Sequence, residues 1–505
     1  MSASDTPLAI ATTWFASYSK ALLDKNVDVV AATFLPDGWL RDALVFTWDT
    51  RALDGRAAIA SYLSLHLPTI KLTNFSLSDE AHFRPAYFYS HPEGKEGIAF
   101  GYAFETPVAW GRGFVQLFPE GQGGAWKAQI VSTVLDDLKG HEEPGRRNFE
   151  EFVDGLAWPV YYAQYKAKVE KDPYVVVVGA GQIGLQVAAR FKQMGIPTLL
   201  VENNDRIGDN WRHRYDSLAL HTTPEHHSFL YQPYPSNWPK YPPRDRVADW
   251  LETYAHTQEL VVWTKSHPAG RPVYSKDAGN WTLTIDHDGT EVVVHPAHIV
   301  LATGTLGAPY IPTFPGRESF NGSVVHSAAY NHAKPYAGKR VVVVGSGQSA
   351  VDICEELAKG GVDVTMVQRS PTEVTDRDWE MEHTVEPLFP RGVPVEVSDF
   401  KSLSVPRGYI KKRMLGKEAL ERYVAAQALL HEKVKKAGVK LALDMPQILL
   451  TWERLGGYWM DKGAADYFAS GAIKVRSGIE PKSFTKTGLI MSDGEELSAD
   501  AVIFA

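Results

Sequence analysis

Two glycine-rich loops, each directly after a run of β-branched residues, constrain the fold of this 505-residue sequence more than any other feature. Residues 174–178 read YVVVV and lead into GAGQIG at 179–184; residues 340–344 read RVVVV and lead into GSGQSA at 345–350. An apolar run without polar alternation is typical of a strand that is buried on both faces of a parallel sheet. Because a tight glycine turn between such a strand and a helix brings backbone N–H groups to a pyrophosphate, each loop predicts a dinucleotide-binding α/β unit.

The first loop has the residues expected of an FAD site. Gly179 suits the tight turn, Gly181 lets the backbone approach a pyrophosphate, and Gly184 lets the helix pack closely on the strand. The next apolar run, 198–201, ends at Glu202, where a carboxylate can bind ribose hydroxyls. We therefore expect FAD to be bound by Gly179, Gly181, Gln182, Ile183, Gly184 and Glu202.

The second loop differs at the two positions that select the cofactor. Its third small residue is Ala350, and the strand that follows, 362–367, ends in Gln-Arg-Ser instead of an acid. A carboxylate at that point would repel a 2′-phosphate, whereas Arg369 can pair with it. We therefore expect NADPH to be bound by Gly345, Gly347, Gln348, Ser349, Ala350 and Arg369. Two such sites in one chain predict hydride transfer from nicotinamide to flavin.

The order of sequence patterns predicts three domains. Helical periodicity over 7–36 is followed by alternating, aromatic-rich stretches up to residue 138, which indicates an α+β domain. From residue 172 onward, apolar strands alternate with helices, the pattern of an α/β fold. The predicted divisions are an α+β domain at 1–138, a linker at 139–171, the first part of an FAD-binding domain at 172–335, an inserted NADPH-binding domain at 336–478, and a return to the FAD-binding domain at 479–505.

Composition narrows the partners and the compartment. Cys354 is the single cysteine, so no disulfide can form within the chain, which suits a reducing compartment such as the cytoplasm. The net charge is −8 and no basic stripe appears, so nucleic acid is not an expected partner. The sequence has no run of about 18 apolar residues and no secretory signal pattern, and we expect neither a membrane helix nor a bound metal. The expected partner is a small-molecule substrate.

Residues between the loops carry a resemblance to a known family. Residues 320–330 read FNGSVVHSAAY and resemble the FxGxxxHxxx(F/Y) signature of class B flavin-dependent monooxygenases, the flavin-containing monooxygenase family. Residues 205–212, DRIGDNWR, and 301–304, LATG, resemble other segments of that family. The resemblance extends over about 172–505. It implies that the cofactor sites also include Asn210, Trp211, Arg212, Thr303 and Gly304.

Two details of the resemblance bear on the reaction. Residues 218–222, LALHT, place His221 where animal-type members have an asparagine near the flavin, which is similar to the plant YUCCA-type subgroup. The signature ends in Tyr330-Asn331, whereas Baeyer–Villiger enzymes carry Trp-Pro or Trp-Asp there, which argues against ketone oxidation. The catalytic candidates are therefore His221, His326 and Tyr330. For His221 and His326, a purely structural hydrogen-bonding role remains open.

The family resemblance implies an FAD- and NADPH-dependent monooxygenase with O2 as co-substrate. In such enzymes NADPH reduces FAD, a C4a-hydroperoxide forms with O2, and one oxygen atom passes to the substrate. N- or S-oxygenation of a small organic molecule and oxidative decarboxylation of an aryl 2-oxo acid both fit. Baeyer–Villiger oxidation and an inactive dinucleotide-binding scaffold remain alternatives. Disulfide reductase chemistry would need a CxxC pair, which a chain with one cysteine lacks.

Both ends of the chain generate further expectations. Residues 7–138 resemble an NTF2-like, SnoaL-type cone, in which Asp42, His82 and Trp110 could line a cavity and which could bind a ligand or form a homo-oligomer. The fold class is thus α/β, with two Rossmann-type domains preceded by an α+β cone domain. In the resembling family, the strand that ends here at Ala505 runs into a second ATG motif. We therefore expect a truncated FAD-binding domain.

Overall fold

The computed structural model describes residues 6–90, 94–121, 123–145 and 157–505. The chain divides into two compact units. Unit 1 comprises residues 1–143 and 388–422, and unit 2 comprises residues 144–387 and 423–505. None of the helices within the described ranges combines the length and apolar character needed to cross a bilayer.

Unit 1 is built on one seven-stranded sheet. The helices of its first range, residues 1–143, are α1 (Pro7–Leu23), α2 (Val27–Ala32) and α3 (Arg56–His66). Its strands are β1 (Phe34–Ala43), β2 (Thr50–Asp54), β3 (Thr73–Leu77), β4 (Ala86–Ser90), β5 (Lys95–Glu105), β6 (Ala109–Pro119) and β7 (Trp126–Leu138). The sheet order is β2-β1-β7-β6-β5-β3, with β4 also on β5; β1 and β7 are parallel and the other pairs antiparallel. The predicted order of helices followed by strands is confirmed.

Aromatic side chains fill the space between α1 and this sheet. Trp14 and Tyr18 are one helical turn apart, and their rings stack with centroids separated by 4.8 Å. The ring of Phe15 lies 5.4 Å from that of Tyr102 and 6.4 Å from that of Phe100 on β5. All five residues are buried. Helix α1 is therefore held to the sheet by a packed aromatic core.

Unit 2 begins with a parallel sheet around the first glycine loop. Its strands are β8 (Val175–Val178), β9 (Thr198–Val201), β10 (Val261–Trp263) and β15 (His298–Leu301), in the order β10-β9-β8-β15. Helices α5 (Gln182–Gln193), α6 (Asp209–Arg212) and α7 (Arg244–Thr257) and an antiparallel sheet of β11 (Ser266–Pro268), β12 (Val273–Ser275), β13 (Asn280–His287) and β14 (Thr290–Val294) complete this region. Every residue of β8 and β9 is buried, as the unbroken apolar runs predict.

A helix lies where the sequence predicted a linker. Helix α4 (Trp158–Lys171) packs on the first parallel sheet and buries Val169. The Tyr162 hydroxyl donates to the Leu260 carbonyl at 3.2 Å, and the Trp263 indole donates to Glu170 at 2.9 Å. The prediction of a linker over 139–171 is therefore wrong for residues 158–171. Helix α4 buries only Val169 and is rich in charged residues, so its sequence lacks a clear apolar face. Residues 146–156 of the predicted linker lie outside the described part of the chain.

A second parallel sheet surrounds the second glycine loop. Its strands are β16 (Ser323–His326), β17 (Arg340–Val344), β18 (Asp363–Gln368), β21 (Ile473–Ser477) and β25 (Ala501–Phe504), in the order β16-β25-β17-β18-β21. Helix α8 (Gln348–Lys359) follows β17. The other elements of unit 2 are β19 (Glu373–Asp376), β20 (Tyr458–Asp461), β22 (Pro481–Phe484), β23 (Gly488–Met491), β24 (Glu496–Ser498), α9 (Arg377–Glu380), α13 (Ala428–Lys436), α14 (Gln447–Arg454) and α15 (Ala464–Ala469). The division between the two units falls within α12 (Lys417–Ala426).

The strands β16 and β25 correct the predicted domain boundaries. We expected 323–326 and 479–505 to lie with the FAD-binding region, but both strands belong to the second sheet. Strand β25 lies between β16 and β17, and its residues Val502 and Ile503 are fully buried. An apolar strand such as β25 is stabilised by burial on both faces, and a central position in a parallel sheet provides that burial.

A second correction concerns residues 388–422, which the sequence placed with the NADPH-binding domain. They contain helices α10 (Val395–Ser404) and α11 (Arg407–Met414) and belong to unit 1. The Phe400 ring lies 5.5 Å from that of Phe83, and the Arg112 guanidinium stacks 4.0 Å above Phe400. These side chains are far apart in sequence, so no local sequence pattern could predict their contact.

Two carboxylic acids are buried together in unit 2. Glu373 on β19 and Glu380 on α9 are each 2% exposed. The Tyr423 hydroxyl donates to Glu373 Oε1 at 2.7 Å, while Oε2 has no hydrogen-bond partner within the described residues. Burial raises the pKa of Glu373 to about 8 and that of Glu380 to about 7. Glu373 is therefore mostly protonated at neutral pH, and Glu380 titrates within the neutral range.

Substitution of Glu373 by Gln tests this assignment. Between about pH 4.5 and pH 8 the folded state keeps a proton that the unfolded chain releases, so wild-type stability falls as the pH rises through this window. Glutamine stays neutral and lacks this penalty. We expect Glu373→Gln to gain about 4 °C in unfolding midpoint relative to wild type between pH 5 and pH 9. Glu421→Gln, which removes an exposed carboxylate from α12, is the control; a gain no larger than the control's would contradict the prediction.

Candidate functional site

The first glycine loop has a conformation that only glycine permits at two of its three positions. Gly179 has φ +104°, and a Cβ atom there would lie 2.5 Å from the Ala302 carbonyl oxygen. A Cβ atom on Gly184 would lie 1.9 Å from the Gly179 oxygen. At Gly181, by contrast, the nearest atom would be Asn210 Nδ2 at 3.8 Å. The outer glycines are thus required by packing, whereas the space beside Gly181 is open, as a bound pyrophosphate requires.

Glu202 lies beside this loop at the carboxyl end of β9. Its Oε2 accepts a hydrogen bond from the Ala180 N–H at 2.9 Å, and its Oε1 accepts one from the Asn204 N–H at 3.0 Å. Gln182 and Ile183 form the first turn of α5, and Ile183 is 61% exposed. The carboxylate is therefore held next to a helix N-terminus, where ribose and pyrophosphate of one dinucleotide would both be in reach.

The three candidates on α6 have different surroundings. Asn210 is the residue nearest to the open position at Gly181. Trp211 packs between two hydrophobic clusters of unit 2, and its indole N–H lacks an acceptor among the described residues. The Arg212 guanidinium donates hydrogen bonds of 2.9–3.0 Å to the Ile207 carbonyl and to the carboxylates of Asp209, Asp249 and Glu252. These bonds tie α6 to α7, which favours a structural role for Arg212.

The second loop repeats the construction of the first. Gly345 has φ +137°, and a Cβ atom there would lie 2.0 Å from the Ala505 carbonyl oxygen. The third position is Ala350, whose small side chain is fully buried on α8. A Cβ atom on Gly347 would meet nothing nearer than the Tyr458 oxygen at 3.9 Å. The residues of this loop therefore also leave room for a pyrophosphate.

Each loop is closed by the residue that follows a neighbouring parallel strand. The Ala302 N–H donates to the last residue of β8 at 2.8 Å, and the Ala505 N–H donates to the last residue of β17 at 2.9 Å. Thr303 follows at the first loop, with its Cα atom 3.5 Å from the Cβ position of Gly179, and Gly304 has φ +82°. The family resemblance predicted a cofactor role for Thr303 and Gly304 within 301–304, whereas the contact of Ala505 with the second loop was not predicted.

Arg369 lies at the carboxyl end of β18. Its side chain is 78% exposed, and its Nη1 atom is 3.9 Å from the Glu480 carboxylate. The preceding residue, Gln368, is fully buried and donates to the Lys440 carbonyl at 2.9 Å. The buried glutamine fixes the backbone at the end of the strand, so that the arginine beside it projects a solvated guanidinium next to the second loop.

A buried carboxylate that the sequence analysis missed lies at the centre of unit 2. Asp352, on the second turn of α8, has a side chain that is 1% exposed. Its Oδ2 accepts from the Tyr215 hydroxyl at 2.6 Å and lies 3.8 Å from His221 Nε2. Its Oδ1 accepts from Gln348 Nε2 at 3.1 Å and lies 3.1 Å from Lys462 Nζ. We call these five residues the Asp352 cluster.

The Asp352 cluster joins segments on both sides of the second loop. Tyr215 and His221 come from the region after the first loop, whereas Gln348 and Asp352 belong to α8, whose first turn also contains Ser349. The Gln348 side chain also accepts from the Met460 N–H of β20 at 2.8 Å. An acid on the helix after the second loop was visible in the sequence, but no local signal links it to residues more than 100 positions away.

His221 is neutral in this environment. Its side chain is 14% exposed, and burial lowers its pKa to about 4. The Asp352 carboxylate opposes this shift, whereas the positive charges of Lys462 and Arg377 reinforce it. Its Nε2 atom makes no hydrogen bond within the described part of the chain. The structure thus provides a neutral imidazole with one uncommitted nitrogen.

The other two catalytic candidates are placed differently. His326 ends β16, and its Nδ1 accepts from the Ala328 N–H at 3.0 Å, which caps a short 3-10 turn. Tyr330 is fully buried in the hydrophobic core, with its ring 5.6 Å from that of Tyr336, and burial raises the pKa of its hydroxyl. These contacts favour structural roles for both residues.

Comparison with known proteins places unit 2 in a large enzyme group. Residues 176–394 match the family profile described as pyridine nucleotide-disulphide oxidoreductase. Cys354 is buried on α8, and a chain with one cysteine has no internal dithiol, so the match concerns the shared dinucleotide-binding fold. Indole-3-pyruvate monooxygenase YUCCA1 of Oryza sativa subsp. japonica is 28% identical over 337 residues, which cover 66% of this chain and 76% of that protein.

Further relatives agree. Indole-3-pyruvate monooxygenase YUCCA8 of Oryza sativa subsp. indica is 30% identical over 338 residues, which cover 65% of this chain and 74% of that protein. Among solved structures, an open crystal structure of cyclohexanone monooxygenase matches with a TM-score of 0.51 and 19% identity, covering 66% of this chain and 73% of that one. An oxidized steroid monooxygenase bound to NADP matches with a TM-score of 0.50 and 20% identity, covering 66% and 71%. These structures share the fold.

The expected enzyme class is confirmed at the level of the family. Proteins similar to unit 2 are flavin-dependent monooxygenases, which use FAD, NADPH and O2. The α/β fold with dinucleotide-binding domains is confirmed with it. The glycine loops, the two parallel sheets and the sequence relatives lead to one conclusion: the chain belongs to the flavin-dependent monooxygenase family.

Proposed function

We propose that the first loop binds FAD, that the second binds NADPH, and that the enzyme transfers one atom of O2 to a small organic substrate. The observation that carries this proposal is the open Cβ position at Gly181 and at Gly347, each beside a helix N-terminus. When bound, the cofactors supply hydride transfer to the flavin and activation of O2 by the reduced flavin. The protein's own contribution is to hold and orient the cofactors and the substrate through its side chains and backbone.

The cofactor contacts follow from the two loops. The N–H groups at the start of α5 would face the pyrophosphate of a bound dinucleotide, and Glu202 would accept hydrogen bonds from its ribose hydroxyls. At the second loop, α8 would provide the helix N-terminus and Arg369 would pair with a 2′-phosphate. Because the Arg369 guanidinium is largely exposed, it can reorient toward the phosphate without breaking a buried contact.

We assign the orienting role to the Asp352 cluster. Lys462 compensates the buried Asp352 carboxylate, so this charge does not need a proton on His221. The neutral imidazole can then donate or accept one hydrogen bond at Nε2 toward cofactor or substrate. Tyr215 and Gln348 fix the carboxylate at 2.6 Å and 3.1 Å, which keeps its position relative to the second loop constant. Asp352 is therefore a positioning residue that acts through His221.

The substrate class that we favour is an aryl 2-oxo acid. Two observations support it: the relatives named indole-3-pyruvate monooxygenases and the histidine at position 221. In such a reaction the 2-oxo acid, O2, NADPH and a proton give the carboxylic acid shortened by one carbon, CO2, water and NADP+. N- or S-oxygenation is the second candidate. Ketone oxidation is disfavoured by Tyr330-Asn331, and the cyclohexanone and steroid enzymes match only in fold.

For unit 1 we propose an NTF2-like cone that binds a ligand or mediates homo-oligomer formation. Its support is the order of three helices and a seven-stranded, largely antiparallel sheet. For the whole protein we propose a cytoplasmic location, because a chain with a single cysteine cannot form an internal disulfide, which suits a reducing compartment.

Oxygen transfer is tested with 18O2. We expect the FAD-loaded protein to oxidise NADPH and to place one 18O atom in the product of an aryl 2-oxo acid, detected by mass spectrometry. A sulfide, an amine and a ketone complete the panel. NADPH consumption that yields only hydrogen peroxide with every substrate, or no consumption at all, would contradict a monooxygenase and favour an inactive dinucleotide-binding scaffold.

The loop assignment predicts opposite behaviour for two alanine variants. Gly181→Ala leaves the ligand-free fold intact, because the nearest atom to its Cβ would be Asn210 Nδ2 at 3.8 Å, but it obstructs the pyrophosphate and weakens FAD binding at least about tenfold. Gly184→Ala lowers the stability of the ligand-free protein by about 2 kcal/mol, because its Cβ overlaps the Gly179 oxygen. FAD titration and thermal unfolding of the apoprotein measure the two effects. Equal loss of stability in both variants would contradict the assignment.

The Asp352 cluster predicts shifts of the His221 pKa in opposite directions. Lys462→Met removes a cation and leaves the attraction of Asp352, so the pKa of His221 rises from about 4 by at least about one unit. Asp352→Asn removes that attraction and lowers the pKa further. NMR of ring-labelled histidine, assigned with His221→Gln, measures both, and Lys474→Met on β21 is the control. Shifts in the same direction, or none, would contradict the orienting role, as would an unchanged pH profile of kcat.

A further inference from the structure

Unit 1 contains a cavity of about 440 Å³ that the monooxygenase reaction does not use. It lies between the segment after β1, the residues after α3, the β5–β6 hairpin and Leu135 of β7. Trp110, one of the residues expected to line a cavity, does so, whereas Asp42 and His82 do not. A volume of this size falls within the range of small-molecule binding sites.

The cavity has a buried apolar floor and an exposed apolar rim. Phe104 on the floor is 3% exposed. On the rim, Trp48 is 74% exposed, Val108 60% and Trp110 42%. These large apolar side chains lie together at the mouth of the cavity. A ligand that covers them gains about 25 cal/mol of binding free energy for each Å² of apolar surface removed from water. This arrangement favours a ligand with an apolar body.

Residues 44–48, which form one wall of the cavity, are held in a fixed conformation by the side chain of Asp42. Asp42 is fully buried and accepts hydrogen bonds from the Val45 N–H at 3.1 Å, the Phe46 N–H at 3.2 Å and the Tyr62 hydroxyl at 2.7 Å. The adjacent Leu44 has φ +66°, a left-handed conformation that costs a leucine about 1–2 kcal/mol. Strained backbone that is held in place by its surroundings is concentrated at active sites and ligand-binding segments. The wall is therefore preformed.

The opposite wall is fixed as well. The Trp110 indole donates to the Glu142 carboxylate at 2.9 Å, and the Lys139 ammonium lies 4.6 Å above its ring. Lys139 in turn pairs with Glu105 at 2.7 Å. Trp110 thus cannot fold into the cavity without losing these contacts, and the mouth between Trp48 and Trp110 stays open.

The charge of the lining selects the ligand further. Lys71 is the single charged residue of the lining, and no carboxylate lines the cavity. Its ammonium has no ion pair among the residues that the structure describes. Thr106 adds a hydroxyl on the hairpin side. We propose that this cavity binds a small, flat, apolar monocarboxylate whose ring system lies between the tryptophans and whose carboxylate pairs with Lys71. The inference concerns unit 1 and does not depend on the reaction proposed for unit 2.

Calorimetric titration of the full chain, saturated with FAD and NADP+, tests the proposal with a matched pair of probes. Naphthalene-2-acetate has the apolar body and the charge, whereas naphthalene-2-acetamide has the body alone. We expect one molecule of the acid to bind per chain, about fivefold tighter than the amide, as a partly exposed ion pair provides. Lys71→Met abolishes the preference, and Trp48→Ala weakens both probes about fivefold. Lys20→Met on α1, outside the cavity, changes neither.

Three outcomes overturn the proposal. The first is no binding of the acid, or equal affinity for acid and amide in the wild type. The second is binding that survives both Lys71→Met and Trp48→Ala, since the acid would then occupy another part of the protein. The third is a dimer in sedimentation velocity that Trp48→Ala dissociates and that excludes the probes, because a second copy of the chain would then cover the rim.

Discussion

The close contact between each glycine turn and its surroundings is the constraint on which unit 2 depends. In the first loop the Cβ position of Gly179 lies 2.5 Å from the Ala302 carbonyl oxygen, and in the second loop that of Gly345 lies 2.0 Å from the Ala505 carbonyl oxygen. A helix can follow a buried strand this tightly only if side chains are absent at those points. The same absence leaves the helix N–H groups facing an open space, so packing and cofactor binding have one cause.

The Asp352 cluster adds a second constraint. A carboxylate that is 1% exposed is stable only when hydrogen bonds and an opposite charge replace its hydration. Here the partners come from the region after the first loop, from α8 and from the residue after β20, so the charge holds three distant segments together. The same charge balance leaves His221 neutral. Structural stability and the state of the candidate catalytic residue are therefore coupled.

Local patterns predicted much of this fold because local physics determines them. The strands before both glycine loops, the positive φ of Gly179 and Gly345, and the acid at 202 all follow from short stretches of sequence. The membership of β25 in the second sheet, the packing of Phe400 in unit 1 and the contact of Asp352 with His221 depend on residues that are distant in the chain. Sequence periodicity does not predict such long-range contacts. Tyr330 was a catalytic candidate because of a sequence motif, and a motif cannot distinguish a core residue from an exposed one.

If the chain has two different dinucleotide sites, it binds FAD and NADP+ at the same time, and the stoichiometry of binding measures this. The chain is purified with FAD, passed through gel filtration, and titrated with NADP+ while the flavin absorbance and the binding heat are followed. We predict that one FAD is retained per chain and that one NADP+ binds per chain without release of flavin. Displacement of FAD by NADP+ would show that the two compete for one site, and would contradict separate FAD and NADPH sites.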